Sequence, residues 1–406
     1  MKTFKSIQIV AVLAAAVLFS SCNSCSTSSK SDNSSQDSIP VTQTSQNNVA
    51  ERAKMQVVFL LDATGSMSGL INAAKDKIWS IVGSFNQTNP TPEIEIGMIF
   101  YRDRGDDFIT KAIPLGTNMD ELYEQLMSMQ ADGGGDGPES VNQALFEAVS
   151  EMAWDENSQG VYKSIFLVGD YPPHMDYQDD VKYPQSCEIA NKKGIVINTI
   201  LMGTNGETKV IWLAIANSTN GQFVQTDMNV NDISITTPYD KKISDLQYEL
   251  DKTRVYYGSA EEQEVMISKS VQSEKIKSGS ASVAAKRAEY NLSEVAKDSY
   301  YGSKELINDM EKGNKLTDIR KEELPKNLQS MSPAQLETYV KELSDKRKSL
   351  EKEIAKLSKQ RQEYINAEVS KMEEEAVESS FDNVIFKAVQ SQAEEKNIKI
   401  EGDVKR

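Results

Sequence analysis

The chain has 406 residues, which is long enough for two or three domains that each bury a hydrophobic core. Hydrophobic residues make up 39% and charged residues 26%, so most of the chain is expected to be soluble and folded. The formal net charge of −16 argues against nucleic acid as a partner and against binding to anionic lipid through bulk charge.

The N-terminus has the layout of a secretory signal peptide, predicted here over residues 1–21. Two lysines precede an apolar run at residues 7–19, and two serines then precede Cys22. A cysteine after small residues resembles a bacterial lipobox, in which Cys22 would be cleaved and lipidated, although Phe19 stands where Leu is usual. An ordinary signal peptide cleaved nearby, or an uncleaved anchor, is the alternative.

Residues 22–53 are predicted to form a flexible linker that carries the lipid. Nine Ser and three Thr occur in residues 23–50, without an aromatic residue, so this segment cannot bury enough apolar surface to order itself. As a tether it would reach about 30 Å. We therefore expect a protein that is secreted across the inner membrane and lipid-anchored in the bacterial cell envelope, on a periplasmic or surface face.

The three cysteines do not form a metal-binding pattern. Cys25 and Cys187 could form a disulfide outside the cytoplasm or remain two free thiols, and the sequence favours neither. His174 is the only histidine and no CxxC pair occurs, which argues against a zinc site of the common kind.

Residues 54–230 alternate short apolar runs with amphipathic ones. The strands are predicted at residues 55–61, 95–101, 108–115, 164–168, 195–202 and 222–224, and the helices at 68–85, 120–129, 140–154 and 210–217. This alternation indicates an α/β fold with an open, mostly parallel central sheet and helices on both faces. Ligands of such sheets bind beyond the carboxyl ends of the strands, where the strand order reverses.

A helical region follows the α/β domain. Residues 231–330 read as mixed helix and loop. Residues 331–406 read as a long helix and tail, capped by Ser332 with Gln335 in a capping box. One row of apolar residues recurs every seven positions, and a second row alternates apolar residues with arginine: Leu336, Leu343, Leu350, Leu357 and Tyr364; Val340, Arg347, Ile354 and Arg361. This spacing predicts a coiled coil, which would allow a homo-oligomer, or a long helix packed on a neighbour.

The motif that carries chemistry is DATGS at residues 62–66, directly after an apolar strand. The carboxylate of Asp62 and the hydroxyls of Thr64 and Ser66 can point three oxygens at one place. Hard oxygen donors suit a divalent cation, Mg²⁺ first, with Mn²⁺ and Ca²⁺ as alternatives. The neutral hydroxyls would leave the metal electrophilic enough to attract an outside carboxylate. The alternative for this motif alone is a turn and a helix cap.

The motif resembles the metal-ion-dependent adhesion site (MIDAS) of von Willebrand factor A (vWA) domains. The resemblance covers residues 54–227 and includes the loop GGGDGPE at 133–139 and the strand end LVGD at 167–170. It implies a Rossmann-like vWA domain, with Asp136 in the place where the family usually supplies a Thr and Asp170 as the last ligand. It also implies a protein partner that offers an Asp or Glu.

Further motifs are similar to those of vWA domains that accompany α-kinases and to uncharacterised bacterial vWA lipoproteins. They are YRD at residues 101–103, GGGDGPES at 133–140 and DYPPH at 170–174. We find no glycine-rich nucleotide loop with a kinase lysine in the rest of the chain, so the resemblance does not indicate a kinase.

Three features beside the motif have two readings each. His174 is either a ligand or pH-sensitive group, or a structural residue that holds its loop. Arg102 and Asp103 form an ion pair under the site, the favoured reading, or contact a ligand. The acidic loop at residues 176–180 binds Ca²⁺ or is simply solvated, and its spacing favours the latter.

The sequence therefore predicts a non-enzymatic, metal-dependent protein-binding module on an envelope lipoprotein, with an adhesion or scaffolding role. One alternative is a structural coiled-coil envelope protein whose vWA domain is metal-silent. A metal-dependent hydrolase is a further alternative, disfavoured because no nucleophile and base pair is evident in the sequence.

Overall fold

The structure, a computed structural model, describes residues 53–85, 91–135, 137–157, 159–226, 233–276 and 280–404. The predicted signal peptide, most of the predicted linker, Cys22, Cys25 and Asp136 lie outside these residues. Within the described ranges, none of the helices combines the length and the apolar character needed to cross a bilayer.

The predicted α/β fold is confirmed by a six-stranded sheet in the order β3-β2-β1-β4-β5-β6. All neighbouring strands are parallel except β3, which runs antiparallel at one edge. The strands are β1 (Lys54–Asp62), β2 (Glu93–Tyr101), β3 (Thr110–Gly116), β4 (Val161–Gly169), β5 (Val196–Met202) and β6 (Phe223–Thr226). Strands β2 and β4 flank β1, so the strand order reverses at β1 and opens a crevice beyond its carboxyl end.

Thirteen α-helices occur within the described residues. They are α1 (Ser68–Phe85), α2 (Met119–Ser128), α3 (Val141–Ser150), α4 (Tyr183–Lys193), α5 (Gly206–Ser218), α6 (Asp240–Asp251), α7 (Ala260–Ile276), α8 (Ala281–Asn291), α9 (Glu294–Tyr301), α10 (Leu306–Glu311), α11 (Pro333–Val369), α12 (Glu374–Glu378) and α13 (Phe381–Glu394).

Strand β1 is buried on both faces. Side chains along a strand point alternately to opposite sides of the sheet, so neighbouring residues of β1 enter two different cores. Val57 and Phe59 pack into a core with α1, α2 and α13. Val58 and Leu60 pack into a second core with α3, α4 and α5. The near-continuous apolar run of β1 follows from these two cores.

Two elements beside the sheet differ from the sequence-based prediction. Helix α3 ends at Ser150 rather than residue 154, because the Trp154 indole N–H folds back and donates to the Ala148 carbonyl at 2.7 Å. Helix α4 was not predicted, since it buries Ser186, Cys187 and Ala190 rather than large apolar residues. Small residues give too weak a periodic signal to mark a helix.

The long helix α11 begins as predicted, with Ser332 and Gln335 forming a capping box. Its most deeply buried row is the second one, with Arg347, Ile354 and Arg361 all fully buried, whereas Tyr364 of the leucine row is 38% exposed. This face packs on helices α6 and α8 of the same chain. Formation of a homo-oligomer through this region stays a prediction.

The two buried arginines form ion pairs inside the chain. Arg347 donates to both carboxylate oxygens of Glu305, at 2.9 and 3.0 Å, and to the Thr253 carbonyl at 2.8 Å. Arg361 donates through Nε to Asp240 at 2.8 Å. A bidentate, fully partnered guanidinium is the form in which a buried charge is tolerated.

Helix α13 returns to the sheet and covers part of one face. Phe381, Ile385 and Val389 are buried in the core shared with β1 and α1. The Gln392 amide exchanges hydrogen bonds with the Asn198 amide of β5, at 3.1 and 2.7 Å. The end of the chain therefore contributes to the core of the α/β domain.

Candidate metal centre

Asp62 lies at the carboxyl end of β1 and is completely buried. Its Oδ1 atom accepts hydrogen bonds from the Thr64 backbone N–H at 2.9 Å and from the Thr64 hydroxyl at 2.6 Å. Its Oδ2 atom has no hydrogen-bond partner. The loop therefore orients the carboxylate with one oxygen and leaves the other available.

The two hydroxyl residues of the motif lie beside this carboxylate. Thr64 Oγ1 and Ser66 Oγ are 3.4 Å apart, in the single 3₁₀ turn that leads into α1. Thr64 is buried whereas Ser66 is exposed. Asp62, Thr64 and Ser66 therefore lie together at the crevice, and Ser66 connects them to the surface.

Asp170 follows β4, the strand next to β1, and is 5% exposed. Its backbone carbonyl accepts from the Thr208 hydroxyl at 3.1 Å, and its Oδ1 atom has no hydrogen-bond partner. Gly169 permits this approach, because a Cβ atom there would lie 2.9 Å from Asp62 Oδ2 and 2.3 Å from the Tyr101 hydroxyl. Asp62 and Asp170, more than a hundred positions apart in sequence, therefore lie close together at the carboxyl ends of β1 and β4.

Glu139 is a buried carboxylate at this site that was not assigned as a ligand from the sequence. It is 2% exposed, and its Oε2 atom has no hydrogen-bond partner. A Cβ atom on Gly134, whose φ is +80°, would lie 3.2 Å from Glu139 Oε1 and 3.0 Å from Thr64 Cβ. Only glycine tolerates that backbone conformation easily, and it lets the loop pass between these two side chains.

The electrostatics of the site fit a cation. Burial raises the pKa of Asp62 to about 7, and the neighbouring Asp170 adds to the rise. Burial also raises the pKa of Asp170, opposed by a hydrogen bond with Ser66, and raises that of Glu139 to about 9 with help from Asp62 and Asp103. A divalent cation between these carboxylates would lower their pKa values again, since it favours their ionised forms.

The donor set differs from that of a transition-metal site. Across the described ranges, no group of three or more His, Cys, Asp or Glu side chains is arranged to hold a metal ion. The centre instead combines the carboxylates of Asp62 and Asp170 with the hydroxyls of Thr64 and Ser66. Oxygen-only donors of this kind suit Mg²⁺ or Ca²⁺.

The favoured ion pair between Arg102 and Asp103 is not what the structure shows. Arg102 donates instead to the carbonyls of Ala63 at 3.0 Å and Gln130 at 2.7 Å, which tie the Asp62 loop to the next loop. Asp103 accepts from the hydroxyls of Ser140 at 3.0 Å and Tyr177 at 2.9 Å. The prediction failed because buried loop carbonyls need donors as much as carboxylates do.

His174 has the structural surroundings of a residue that holds its loop. It is 5% exposed, its ring stacks on Tyr177 with 4.0 Å between centroids, and its Nδ1 atom is 2.8 Å from Asp176. In the adjacent acidic loop, Arg104 pairs with Asp179 at 3.0 Å and Asp180 at 2.6 Å. These two carboxylates are therefore engaged by a guanidinium.

Cys187 carries a free thiol within the core of the domain. It is 3% exposed, and burial raises its pKa to about 11. Whether Cys25 forms a disulfide stays a prediction.

The order of the strands agrees with the comparison to known families. A family model described as the von Willebrand factor A domain matches residues 56–227. Residues 56–227 form a vWA domain. The resemblance drawn from the DATGS motif is therefore confirmed at the level of the domain, and vWA domains commonly mediate protein interactions.

Part of the chain is also similar to known proteins. One is the ariadne-like RING finger protein R811 of Acanthamoeba polyphaga mimivirus, 24% identical over 190 residues, which are 42% of this chain and 18% of that protein. Proximal thread matrix protein 1 of the mussel byssus is 18% identical with a TM-score of 0.35, covering 44% of this chain and 43% of that one. The SpRpn10 VWA domain is 14% identical with a TM-score of 0.33, covering 43% of this chain and 88% of that one. The chain thus spans under half of the first two relatives.

Proposed function

We propose that the vWA domain binds a divalent cation at a MIDAS and uses it to hold a protein partner. Asp62, Thr64, Ser66 and Asp170 would supply the ligands, together with Asp136 of the intervening loop. Mg²⁺ is the proposed ion, with Mn²⁺ and Ca²⁺ as alternatives. The cation would supply a Lewis-acid position for an Asp or Glu side chain of the partner.

The observation that carries this proposal is the pair of unpartnered carboxylate oxygens, Asp62 Oδ2 and Asp170 Oδ1, buried beside two hydroxyls. When ionised, a buried carboxylate oxygen without a donor costs about 1–3 kcal/mol or more, and a bound cation would offset this cost while both carboxyl groups stay ionised. Because Ser66 is exposed, the cation would lie at the surface, where a side chain from another protein can reach it.

The protonation state of Glu139 would affect how the centre binds a cation. Its pKa of about 9 keeps the carboxyl protonated while the site lacks a cation, and a bound cation would lower that pKa. Glu139 could then act as an ionised neighbour, or donate a hydrogen bond to an inner ligand. Ionisation of Glu139 on cation binding would release a proton, so cation affinity would rise with pH.

Calorimetric titration of Mg²⁺, Mn²⁺ and Ca²⁺ into the purified full chain tests the cation site. We expect saturable binding that is lost in Asp62→Ala. Asp107→Ala is the matched control, because Asp107 lies near the same loops but its side chain is 91% exposed, so it should leave binding unchanged. No saturable binding by the native chain would refute the MIDAS and favour the metal-silent alternative.

Cation-dependent capture tests the partner. Native protein on a resin should retain an envelope protein in Mg²⁺ and release it in EDTA. Asp62→Ala should fail to retain that protein, whereas Asp107→Ala should retain it. Equal retention in EDTA would show that binding does not pass through the cation. We place the chain among binding modules rather than enzymes, because two hydroxyls and a surface position suit capture of a ligand.

We further propose that Cys22 is lipidated and anchors the chain in the bacterial envelope. The apolar run and the small residues before Cys22 support this proposal. Metabolic labelling with a radioactive fatty acid should label the native chain but not Cys22→Ser. Cys25→Ser is the matched control and should still be labelled; label lost in that control alone would assign the lipid to Cys25.

A further inference from the structure

Two loops of the proposed cation site run side by side, one directly after β4 and the other before α3. The first has the sequence DYPPH at residues 170–174, and we call it the clamp segment. The second has the sequence GGGDGPE at residues 133–139, and we call it the glycine loop. Asp170 of the clamp segment and Asp136 of the glycine loop are both proposed ligands. The position of one loop relative to the other therefore affects cation binding.

Backbone hydrogen bonds join the two loops. The Glu139 N–H donates to the Pro172 carbonyl at 2.9 Å, and the His174 N–H donates to the Glu139 carbonyl at 3.1 Å. Glu139 and Pro173 thereby form an isolated parallel β-bridge. The φ angle of Pro172 is fixed by its own ring and its ψ angle is restricted by the proline that follows, so its carbonyl is held in place. The Asn142 amide of α3 donates to the His174 carbonyl at 2.7 Å and fixes the end of the clamp segment.

The ring of Tyr171 lies against Gly137 of the glycine loop. A Cβ atom at residue 137 would lie 2.9 Å from Tyr171 Cε1 and 3.0 Å from Tyr171 Cδ1, so a larger residue at this position would meet the ring. Ring carbons rather than the hydroxyl make this contact. Gly137 directly follows Asp136 in the chain, so the ring contacts the glycine loop next to a proposed ligand.

The composition of the glycine loop explains why such a contact matters. Four of the seven residues 133–139 are glycine, and glycine loses more conformational freedom on ordering than any other residue. A contact that orders the loop before the cation binds removes part of this entropy cost from the binding step. Tyr171 lies at the surface with 37% of the residue exposed, so its contribution to the hydrophobic cores of the domain is small.

We propose that Tyr171 is a positioning residue of the cation site, whose ring packs on Gly137 and orders the glycine loop for cation binding. This inference rests on the proposed function, because it assigns a further residue to the same site. Tyr171 itself supplies no ligand, and its effect passes through the glycine loop. Residues that orient metal ligands in this way typically change metal affinity by about 10–100-fold when they are replaced.

Calorimetric titration of Mg²⁺ into the full chain and its variants tests this role. Tyr171→Ala should weaken binding by about tenfold or more, with unchanged far-UV circular dichroism. Tyr171→Phe keeps the ring carbons and should bind Mg²⁺ as the native chain does. Tyr364→Ala is the matched control, because Tyr364 is 38% exposed and belongs to α11, and it should leave Mg²⁺ binding unchanged.

Gly137→Ala tests the same contact from the other loop. The added Cβ atom should weaken Mg²⁺ binding by about tenfold in the native chain, but it should have little further effect in Tyr171→Ala, where the ring is absent. Urea denaturation in EDTA examines the packing without a cation. Gly137→Ala should lower the urea midpoint of the native chain more than that of the Tyr171→Ala chain. If Tyr171→Ala fails to fold, Gly137→Ala and Tyr171→Phe decide by their Mg²⁺ affinities.

The outcomes separate this role from the cation site itself. If the native chain binds Mg²⁺ and a folded Tyr171→Ala chain binds it equally well, the positioning role is overturned and the cation site stands. Equal effects of Gly137→Ala with and without the Tyr171 ring would also overturn it, as would a loss of affinity in Tyr171→Phe as large as in Tyr171→Ala. Absence of Mg²⁺ binding by the native chain would instead refute the proposed cation site, and the positioning role with it.

Discussion

Replacing Asp62 by Asn is expected to stabilise the cation-free protein at alkaline pH. Burial raises the pKa of Asp62 from its ordinary 3.8 to about 7. Between these values the folded chain holds a proton on Asp62 that the unfolded chain has released. The free energy of unfolding therefore falls as the pH rises through this window. Above about pH 7 the stability that the protonated Asp62 contributes is lost.

The size of the effect follows from the width of the window. Two pH units of this window lie between pH 5 and pH 7, and at about 1.4 kcal/mol per unit they amount to about 3 kcal/mol for this one carboxyl group. Asn cannot ionise and lacks this dependence. Glu139 and Asp170 also have raised pKa values and titrate in both proteins, so the informative quantity is the difference between native and variant.

Urea denaturation followed by circular dichroism, in EDTA at pH 5 and pH 8, measures this difference. Between pH 5 and pH 8 the stability of Asp62→Asn relative to the native protein should rise by about 3 kcal/mol. Added Mg²⁺ should stabilise the native protein at pH 8 but not the variant. Asp107→Asn, with its exposed side chain, should behave as the native protein does.

The reasoning fails if the native protein and Asp62→Asn lose stability in parallel between pH 5 and pH 8. That result would mean that Asp62 is already ionised at pH 5, as a solvated or otherwise partnered carboxylate would be. It would also remove the electrostatic support for a cation at this position.

Three further predictions concern the rest of the chain. Arg347→Ala should lower the free energy of unfolding by about 3–5 kcal/mol, because it leaves the buried Glu305 carboxylate without its cation. Lys346→Ala, at an exposed position of the same helix, should change the free energy of unfolding by less than about 1 kcal/mol, and urea denaturation compares the two variants. Gly169→Ala should weaken both Mg²⁺ binding and stability, since its Cβ would lie 2.3 Å from the Tyr101 hydroxyl, and calorimetry with native-like binding would contradict this. Cys187 should react with a thiol reagent at pH 8 far more slowly in the native protein than in urea, because burial raises its pKa to about 11; equal rates would show an accessible thiol.

The sequence predicted the elements whose signals are local. The apolar run of β1 and the DATGS motif behind it placed Asp62, Thr64 and Ser66 together, because three oxygens within five residues are close in any turn. The capping box of Ser332 and Gln335 fixed the start of α11 for the same reason. Asp170 was assigned to the site through the resemblance to the vWA family, because a family pattern also records which distant strands lie side by side.

Contacts between distant segments were decided by the tertiary structure alone. Glu139 reaches the centre only because the loop before α3 passes over the end of β1, and nothing near it in sequence marks that approach. The arginines of α11 resemble weak points of a coiled coil, yet Arg347 and Arg361 are buried against acids of the same chain, Glu305 and Asp240. A heptad pattern shows which side of a helix is buried but not what buries it.

The covering of the sheet by α13 shows the same limit. Phe381, Ile385 and Val389 are spaced as on one face of a helix, in a segment that the sequence predicted only as part of a long helix and its tail. Only the folded chain shows that this face closes the core beside β1, more than three hundred residues away in sequence. Hydrophobic burial has no direction of its own, so the partner of an apolar face is set by which surfaces the whole fold leaves open.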